Sequence, residues 1–313
     1  MPNTGTIWGL PNFAGDLYTS DTTNTPLLTM SGGLTGGLVT ENMEFPTASL
    51  YDLPAAAQPD ISEDQSIAGV NPTNVVRTQV SNVCQIHQEA IITSYVKEAN
   101  KGRLSDLNTA GAENAVQTTE KDWQIQRKLE KIARDVEFTM VQGAYVAPAD
   151  AATATQTRGM VEACQLGGGT SVDANVAALS LDLLQELFLD MYNAGAPFSN
   201  LVLYLSGTYK QAISSIYGFA PTDRNVGGLN IQQLETDFGN VGVVTSRFAP
   251  ANTVLAVEMS VLGGPVFQEV PGKGILFYED LAKTGASERG QLFGMIGFDH
   301  GPAFAHGRLW NLA

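Results

Sequence analysis

Several groups of side chains in this 313-residue sequence have types that could do chemistry. Asp299, His300 and His306 could offer a metal one carboxylate and two imidazoles. The histidines stand six residues apart across Gly301-Pro302, a spacing that neither a helix nor a strand uses to aim two rings at one ion. A structural role is expected for them. His87 stands beside Glu89 on an expected strand and reads as a solvated side chain. Asp60, Glu63 and Asp64 gather like the ligands of a calcium loop but lack its alternate spacing and closing Glu, so they read as a charged loop tip. Gly272-Lys273 lacks the upstream Gly and the following Ser or Thr of a phosphate loop. No dinucleotide fingerprint, metalloprotease histidine pair or nucleophile-elbow serine occurs. No catalytic, cofactor-binding or metal residue is expected, and no cofactor.

Composition narrows the class further. The 17 basic residues face 32 acidic ones, for a net charge of −15, whereas tight nucleic-acid binding needs Lys and Arg to displace counterions from phosphates. Charged residues are 16% of the chain, against about 25% in ordinary globular domains. Such a neutral surface can be covered by a neighbour without desolvating many charges. Cys84 and Cys164, far apart, make neither a disulfide framework nor a zinc site and read as buried thiols. No run approaches the roughly 18 apolar residues of a membrane span, and residues 1–5 lack the basic start of a signal peptide. The expected setting is the cytoplasm.

The elements that position these groups follow from periodicity and breakers. Residues 1–40 show no helical pattern but carry Trp8, Leu10, Phe13, Leu17 and Tyr18, side chains suited to docking; a frayed terminus is the competing reading. Residues 41–80 read as two extended segments around a Pro- and Ala-rich tip, the second being Val75–Val80, with no helical periodicity. A strand is expected over 84–93. From about Thr118 to Tyr145, apolar residues recur at Ile125, Leu129, Ile132, Val136 and Met140, one stripe of a long helix, with Thr118 or Thr119 as its cap. Ser180 caps an amphipathic helix that Gly195 stops. A strand at 201–205, a helix at 208–217 and strands at 241–245, 254–259, 266–270, 275–278 and 291–298 complete the pattern.

This order of arm, β-excursion, one long helix, compact α/β region and closing strands resembles the major capsid proteins of tailed bacteriophages. Their fold, the Johnson fold, is shared with herpesvirus capsids and encapsulins. The stretch Arg127-Lys128-Leu129-Glu130-Lys131-Ile132-Ala133-Arg134-Asp135-Val136-Glu137-Phe138, then Gly143 and Thr157-Arg158-Gly159-Met160, and the strand from Gln85-Ile86 to Glu89, carry the family's look. The resemblance implies an α+β protein. Residues 1–40 would be the N-terminal arm and 41–80 the extended β-loop. Residues 81–174 would form the peripheral domain, with a spine helix over about 110–146. Residues 175–280 would form the α/β axial domain, and 281–313 would return to the peripheral one.

The resemblance also implies a function. Such a subunit assembles with itself as hexamers and pentamers into an icosahedral virion capsid around double-stranded DNA, made in the bacterial host cytoplasm, with no membrane and no sequence-specific grip on the DNA. A portal replaces one pentamer, and a scaffold guides assembly, either a separate protein or a scaffold domain already removed. An encapsulin-like compartment is the alternative within the fold; a tail or decoration protein and a cytosolic hydrolase are alternatives outside it. Some capsid families cross-link through a lysine on the extended loop, but residues 41–80 contain none.

In the resembled fold the extended loop lies across a neighbour. Residues 41–80 carry six acids against Arg77, while residues 97–134 carry eight of the 17 basic residues. Asp60, Glu63 and Asp64 are therefore expected to meet Arg127, Lys128, Lys131 and Arg134 of a neighbour, with Trp8 and Phe13 as further inter-subunit contacts. The competing expectation is two solvated faces, the helix charges pairing along their own helix at i,i+4.

Overall fold

A computed structural model of the protein describes residues 19–99, 120–216 and 233–313; Trp8, Phe13, Thr118 and Thr119 lie outside them. The first elements are a short helix, α1 (Pro26–Met30), and a strand, β1 (Leu38–Thr40). The expectation of an arm without helix is corrected here. Leu27 and Leu28 are buried, and a Pro at the helix start presets its first turn.

Strands β2 (Glu44–Tyr51) and β3 (Arg77–Val83) pair antiparallel as a projecting hairpin, with a register shift between Pro46 and Ala48. Between them lies a helix, α2 (Glu63–Ala68), where the sequence periodicity predicts none. Its signal is local rather than periodic. Ser62 Oγ accepts from Gln65 N–H and Gln65 Oε1 accepts from Ser62 N–H, a reciprocal capping box. After Cys84 the chain continues as β4 (Gln85–Ser94) and α3 (Tyr95–Ala99).

The long helix is α4 (Glu120–Gln142), 23 residues or about 35 Å. Its stripe behaves as the periodicity requires: Ile132, Val136 and Met140 are buried, with Val141 beside them. It stops short of Tyr145 because Gly143 is wedged between two backbones. A Cβ there would stand 2.5 Å from the carbonyl oxygens of Thr139 and Thr157. Next come α5 (Met160–Ala163), β5 (Thr170–Asp173) and α6 (Leu181–Ala194). Ser180 Oγ caps α6 by accepting from Leu183 N–H, and Gly195 ends it at φ 92°. The chain then forms β6 (Leu201–Leu205), α7 (Gly207–Ile216), β7 (Gln233–Thr236), β8 (Gly239–Thr245), β9 (Val254–Glu258), β10 (Gly264–Gln268), β11 (Leu276–Asp280), β12 (Ser287–Asp299) and β13 (Gly307–Trp310).

These strands build two larger sheets. In the five-stranded sheet β12 is the axis. It pairs with β4 over ten residues on one side and with β11 and then β10 on the other, and β1 pairs with β10. The six-stranded sheet has the order β5-β13-β9-β6-β8-β7. Sheet membership does not follow the boundaries at 174 and 280. Strands β10 and β11 join the sheet of β4 by pairing with β12, while β5 and β13 join the sheet of β9. The reason is that β12, long enough to serve two partners end to end, recruits β10 and β11, and the final strand crosses to fill the place between β5 and β9.

Both faces of the six-stranded sheet are covered, which accounts for the continuous apolar runs Leu201–Leu205 and Val254–Val257. Leu201, Leu203, Leu205, Val254 and Ala256 pack with α6 and α7. Tyr204, Leu255 and Val257 face the other way, into a core shared with α4, α1, Phe267 and Phe298. Glu137 of α4 is buried at the centre of this second core. One of its oxygens accepts from Leu27 N–H (3.0 Å) and from the Tyr204 hydroxyl (2.5 Å), and the other accepts from Leu28 N–H (2.7 Å). Burial pushes the Glu137 carboxyl above its ordinary range, while these three donors pull it back.

Replacing Glu137 by Gln turns one acceptor into a donor that faces the backbone N–H of Leu27 or Leu28, which cannot turn away. E137Q is expected to lower unfolding stability by about 1–3 kcal/mol, read as a lower urea midpoint for the unassembled protomer. An unchanged midpoint would show that the carboxylate is not a structural strut.

Candidate assembly surfaces

The projecting hairpin is held at its root by the loop that follows α4. Asn82, fully buried, donates to the carbonyls of Arg158 (3.1 Å) and Phe298 (2.7 Å), and its side-chain oxygen accepts from Arg158 N–H (2.8 Å). The Arg158 guanidinium donates to Ser81 O at 3.0 Å, pairs with Glu162 and lies 4.2 Å from the centre of the Tyr145 ring. Thr157 Oγ1 accepts from Phe298 N–H, and Gln85 Oε1 accepts from Thr157 N–H. Gly159 belongs to the same knot: a Cβ there would stand 2.5 Å from Gly143 N and from Thr139 O. Thr157-Arg158-Gly159 thus clamps helix end, hairpin root and β12 together.

Beyond this root the hairpin stands clear of the rest of the protomer. Every residue from Tyr51 to Gln79 is exposed, including Leu53, Ile61, Val70 and Val76, with Ile67 of α2 at 79%. Asp60, Glu63 and Asp64 stand at this tip. Glu63 and Asp64 occupy the first turn of α2, where carboxylates favour the helix dipole.

The basic residues expected opposite them have partners within the chain. Lys128 and Lys131 both hold Glu89 of β4, the former at 2.7 Å. Lys131 also reaches Asp135 at 2.8 Å, Arg127 pairs with Glu130 at 2.9 Å, and Arg134 pairs with Asp21 at 3.6 Å. Burial raises the Glu89 carboxyl, but the two lysines outweigh it and hold it below the ordinary range. A neighbour's carboxylates would therefore compete with these internal partners.

Two of the three histidines sit where expected and one does not. His306 Nδ1 accepts from Glu258 N–H (3.1 Å), so its Nε2–H donates to His300 O (2.7 Å), and His300 Nδ1–H donates to Gly301 O (2.7 Å). Both rings are fully buried and brace the turn around Gly301. Among the described residues no group of three or more His, Cys, Asp or Glu is placed to hold a metal. His87 is buried rather than solvated, because the alternation of β4 turns it, with Ile91 and Thr93, towards α4. Its Nε2 accepts from Gln85 Nε2, whose other contact is Thr139 Oγ1. Both cysteines are buried, free thiols, pushed up to about 12 by burial. No helix among the described residues is long and apolar enough to cross a membrane.

The profile of the family described as SU10 major capsid protein matches residues 1–313. Comparison with curated protein sequences finds no match. Among solved structures, the chain is similar to the capsid asymmetric unit of cyanophage A-1(L), with a TM-score of 0.65 at 10% identity, covering 97% of each chain. It is similar to the capsid of a native GTA particle, with a TM-score of 0.59 at 13% identity over 96% of each chain. It is also similar to the SrpI encapsulin of Synechococcus elongatus, with a TM-score of 0.54 at 10% identity, over 96% of this chain and 92% of that one. At these identities the structural likeness speaks for the fold.

The buried histidines set a pH dependence. Burial lowers all three, His300 and His306 to about 4, so the folded protein keeps them neutral where the unfolded chain protonates them. Their contribution is complete above about pH 6.5 and is lost as pH falls towards 4, by about 2–3 kcal/mol each for His300 and His306 near pH 4.5. Glu137 and Asp299, both raised by burial, act in the opposite sense and trim that loss. The melting temperature of the protomer is expected to fall steadily from about pH 6.5 downwards; a flat profile to about pH 4.5 would contradict this.

Proposed function

The chain belongs to the SU10 major capsid protein family, and from that premise we propose that it assembles as hexamers and pentamers into an icosahedral shell around double-stranded DNA, in the cytoplasm of a bacterial host. The observation that carries the self-assembly is the hairpin. A six-residue helix on an arm with no buried side chain cannot hold itself together in water, so α2 and the apolar residues around it require a second copy to pack against. The rigid clamp at Ser81–Gln85 fits that role, since it aims the arm outward from a fixed base. Apolar contact by Ile61, Ile67 and Val70 supplies most of the attraction. Asp60, Glu63 and Asp64 approach Arg127, Lys128, Lys131 and Arg134 of the neighbour's α4 and share those cations with their internal partners, at about 0–1 kcal/mol for each exposed pair. Trp8 and Phe13 add contacts from the arm.

The shell catalyses nothing and grips its DNA weakly. A net charge of −15, with most described cations already in intrachain pairs, supports enclosure rather than tight binding. A separate scaffold protein and a portal complete the assembly.

Purified protein with its scaffold is expected to form closed particles in electron micrographs. Conversion of Ile61 and Ile67 to Ser should cut particle yield several-fold more than conversion of Asp60, Glu63 and Asp64 to Lys. Neither change should move the protomer's melting temperature. A protein that sediments only as a compact monomer under every assembly condition would overturn the reading. Equal, intact yields from both variants would overturn the role of the tip.

Since residues 41–80 carry no Lys, mature particles should have no covalent links through this loop. Boiled and reduced, they are expected to run as one band near 33 kDa. A ladder of multimers would refute that.

A further inference from the structure

Helix α6 turns Leu184, Leu187, Phe188 and Met191 inward against the six-stranded sheet, but its outer side is not merely polar. Leu181, Leu189 and Tyr192 are 38%, 49% and 58% exposed. The Tyr192 ring lies 5.2 Å from that of Phe238, in the turn between β7 and β8. Between helix and turn opens a cleft of about 150 Å³, lined by Leu181, Gln185, Phe188 and Phe238 among others. Two of the lining rings, Phe188 and Phe238, are backed by a strained residue. Phe198 holds a left-handed backbone (φ 50°) that places its ring 5.5 Å from Phe238 and 6.4 Å from Phe188, a conformation costly for an aromatic residue.

Beside this apolar ridge run Asp182, Glu186 and Asp190, all exposed. Four residues apart, they form one row about 12 Å long. The ion pairs among the described residues lie elsewhere in the protomer, on α3, α4, α5, β11 and β12, and involve none of these three. From Gly159 to Tyr209 the sequence has no Lys or Arg at all. An apolar ridge flanked by a charged row at helical spacing matches one half of a helix–helix interface, in which the partner supplies the opposite charge in the same register.

The sign of the row excludes nucleic acid and asks for a basic partner. A second copy of this chain is poorly suited to supply one. Among the described residues, the row of cations at helical spacing is Arg127, Lys131 and Arg134 with Lys128 on α4, each shared with Glu130, Glu89, Asp135 or Asp21, and these are the cations already assigned to the hairpin tip of a neighbouring subunit. Arg77 and Arg289 stand apart on different strands.

We propose that the outer face of α6, with the cleft beside Phe238, docks a basic amphipathic helix of a protein other than the shell subunit. The partner's apolar side chains lie along Leu181, Leu189 and Tyr192, one of them entering the cleft, and its cations follow Asp182, Glu186 and Asp190. The proposal goes beyond shell assembly, because the occupant is not a second copy of this chain.

The test uses a fluorescent helical peptide of about five turns, with Leu on one face and Lys at four-residue spacing beside it, titrated by anisotropy against dispersed protomer and against shells. D182N/E186Q/D190N is expected to weaken binding about tenfold. D60N/E63Q/D64N, which removes the same charge at the hairpin tip, should bind like wild type. L189S/Y192S should weaken binding with the acids intact. Equal weakening by the two triple variants would mean that the peptide senses only net charge, and would overturn the proposal. So would unchanged binding by D182N/E186Q/D190N. If that variant instead stops shells forming with no partner present, the face belongs to a second copy; the docking proposal falls while the shell reading stands. If wild type binds the peptide but never forms particles, the shell reading falls and the docking face stands.

Discussion

A single carboxylate without solvent contact holds the body of this protein together. Glu137 draws in an N–H pair from α1, about 110 residues before it, and a hydroxyl from β6, 67 residues after it. A buried carboxylate is tolerable only when its oxygens are satisfied, and here three donors from separate parts of the chain do so. The cost of leaving any of them unmet makes the arrangement specific: α1 cannot slide along α4, and α4 cannot rotate against the six-stranded sheet. The shared core of Ile132, Val136, Met140, Leu255 and Val257 is nonspecific by comparison, since apolar contacts alone tolerate small shifts.

From that fixed body the chain separates rigid from unfinished surface. The Thr157-Arg158-Gly159 clamp uses buried hydrogen bonds to Asn82 and close glycine packing, so the hairpin leaves at a defined angle. From Tyr51 to Gln79 every residue of the same hairpin is exposed. The spread of ion pairs follows a similar division. Lys97, Lys121, Lys128, Lys131 and Lys283 tie α3, α4, β4 and β12 to one another, while the carboxylates of the hairpin tip and of α6 are left to the outside. The hairpin tip and the outer face of α6 are thus apolar and acidic.

Much of this architecture is legible in the residues themselves. The boundaries of α6 follow from Ser180 and Gly195, both local signals. Strands β6 and β9 announce themselves as unbroken apolar runs, and the buried stripe of α4 has the spacing its sequence shows. What escapes such a reading is either short or non-local. Helix α2 has no periodicity over six residues, although Ser62 and Gln65 carry the capping signature that reveals it. Strands β5 and β13 are four residues each and gain their identity only from partners far along the chain, while β7, equally short, pairs with the adjoining β8. For the same reason the crossing of β13 into the six-stranded sheet leaves no local trace. His87 reads as solvated when taken as one polar residue among others, yet its place in the alternation with Ile91 and Thr93 points it inward. The hold of Lys128 and Lys131 on Glu89 depends on the packing of β4 on α4, which no i,i+4 rule supplies, whereas Lys131 and Asp135 are the i,i+4 pair such a rule expects.

The continuity of β3 into β4 has a mechanical side. Any tension applied to the hairpin by an attached molecule runs down β3, through Cys84, and along the axis of β4. Strand β4 is antiparallel to β12 over ten residues in unbroken register, so the pull is parallel to both strands and their cross-bonds lie perpendicular to it. In that geometry the bonds are loaded in shear and share the force together, rather than opening one at a time from an end like a peeled hairpin. The load then divides from β12 into β11 and β10, across the width of the sheet. The protein is built so that its most exposed lever is anchored along its strongest direction.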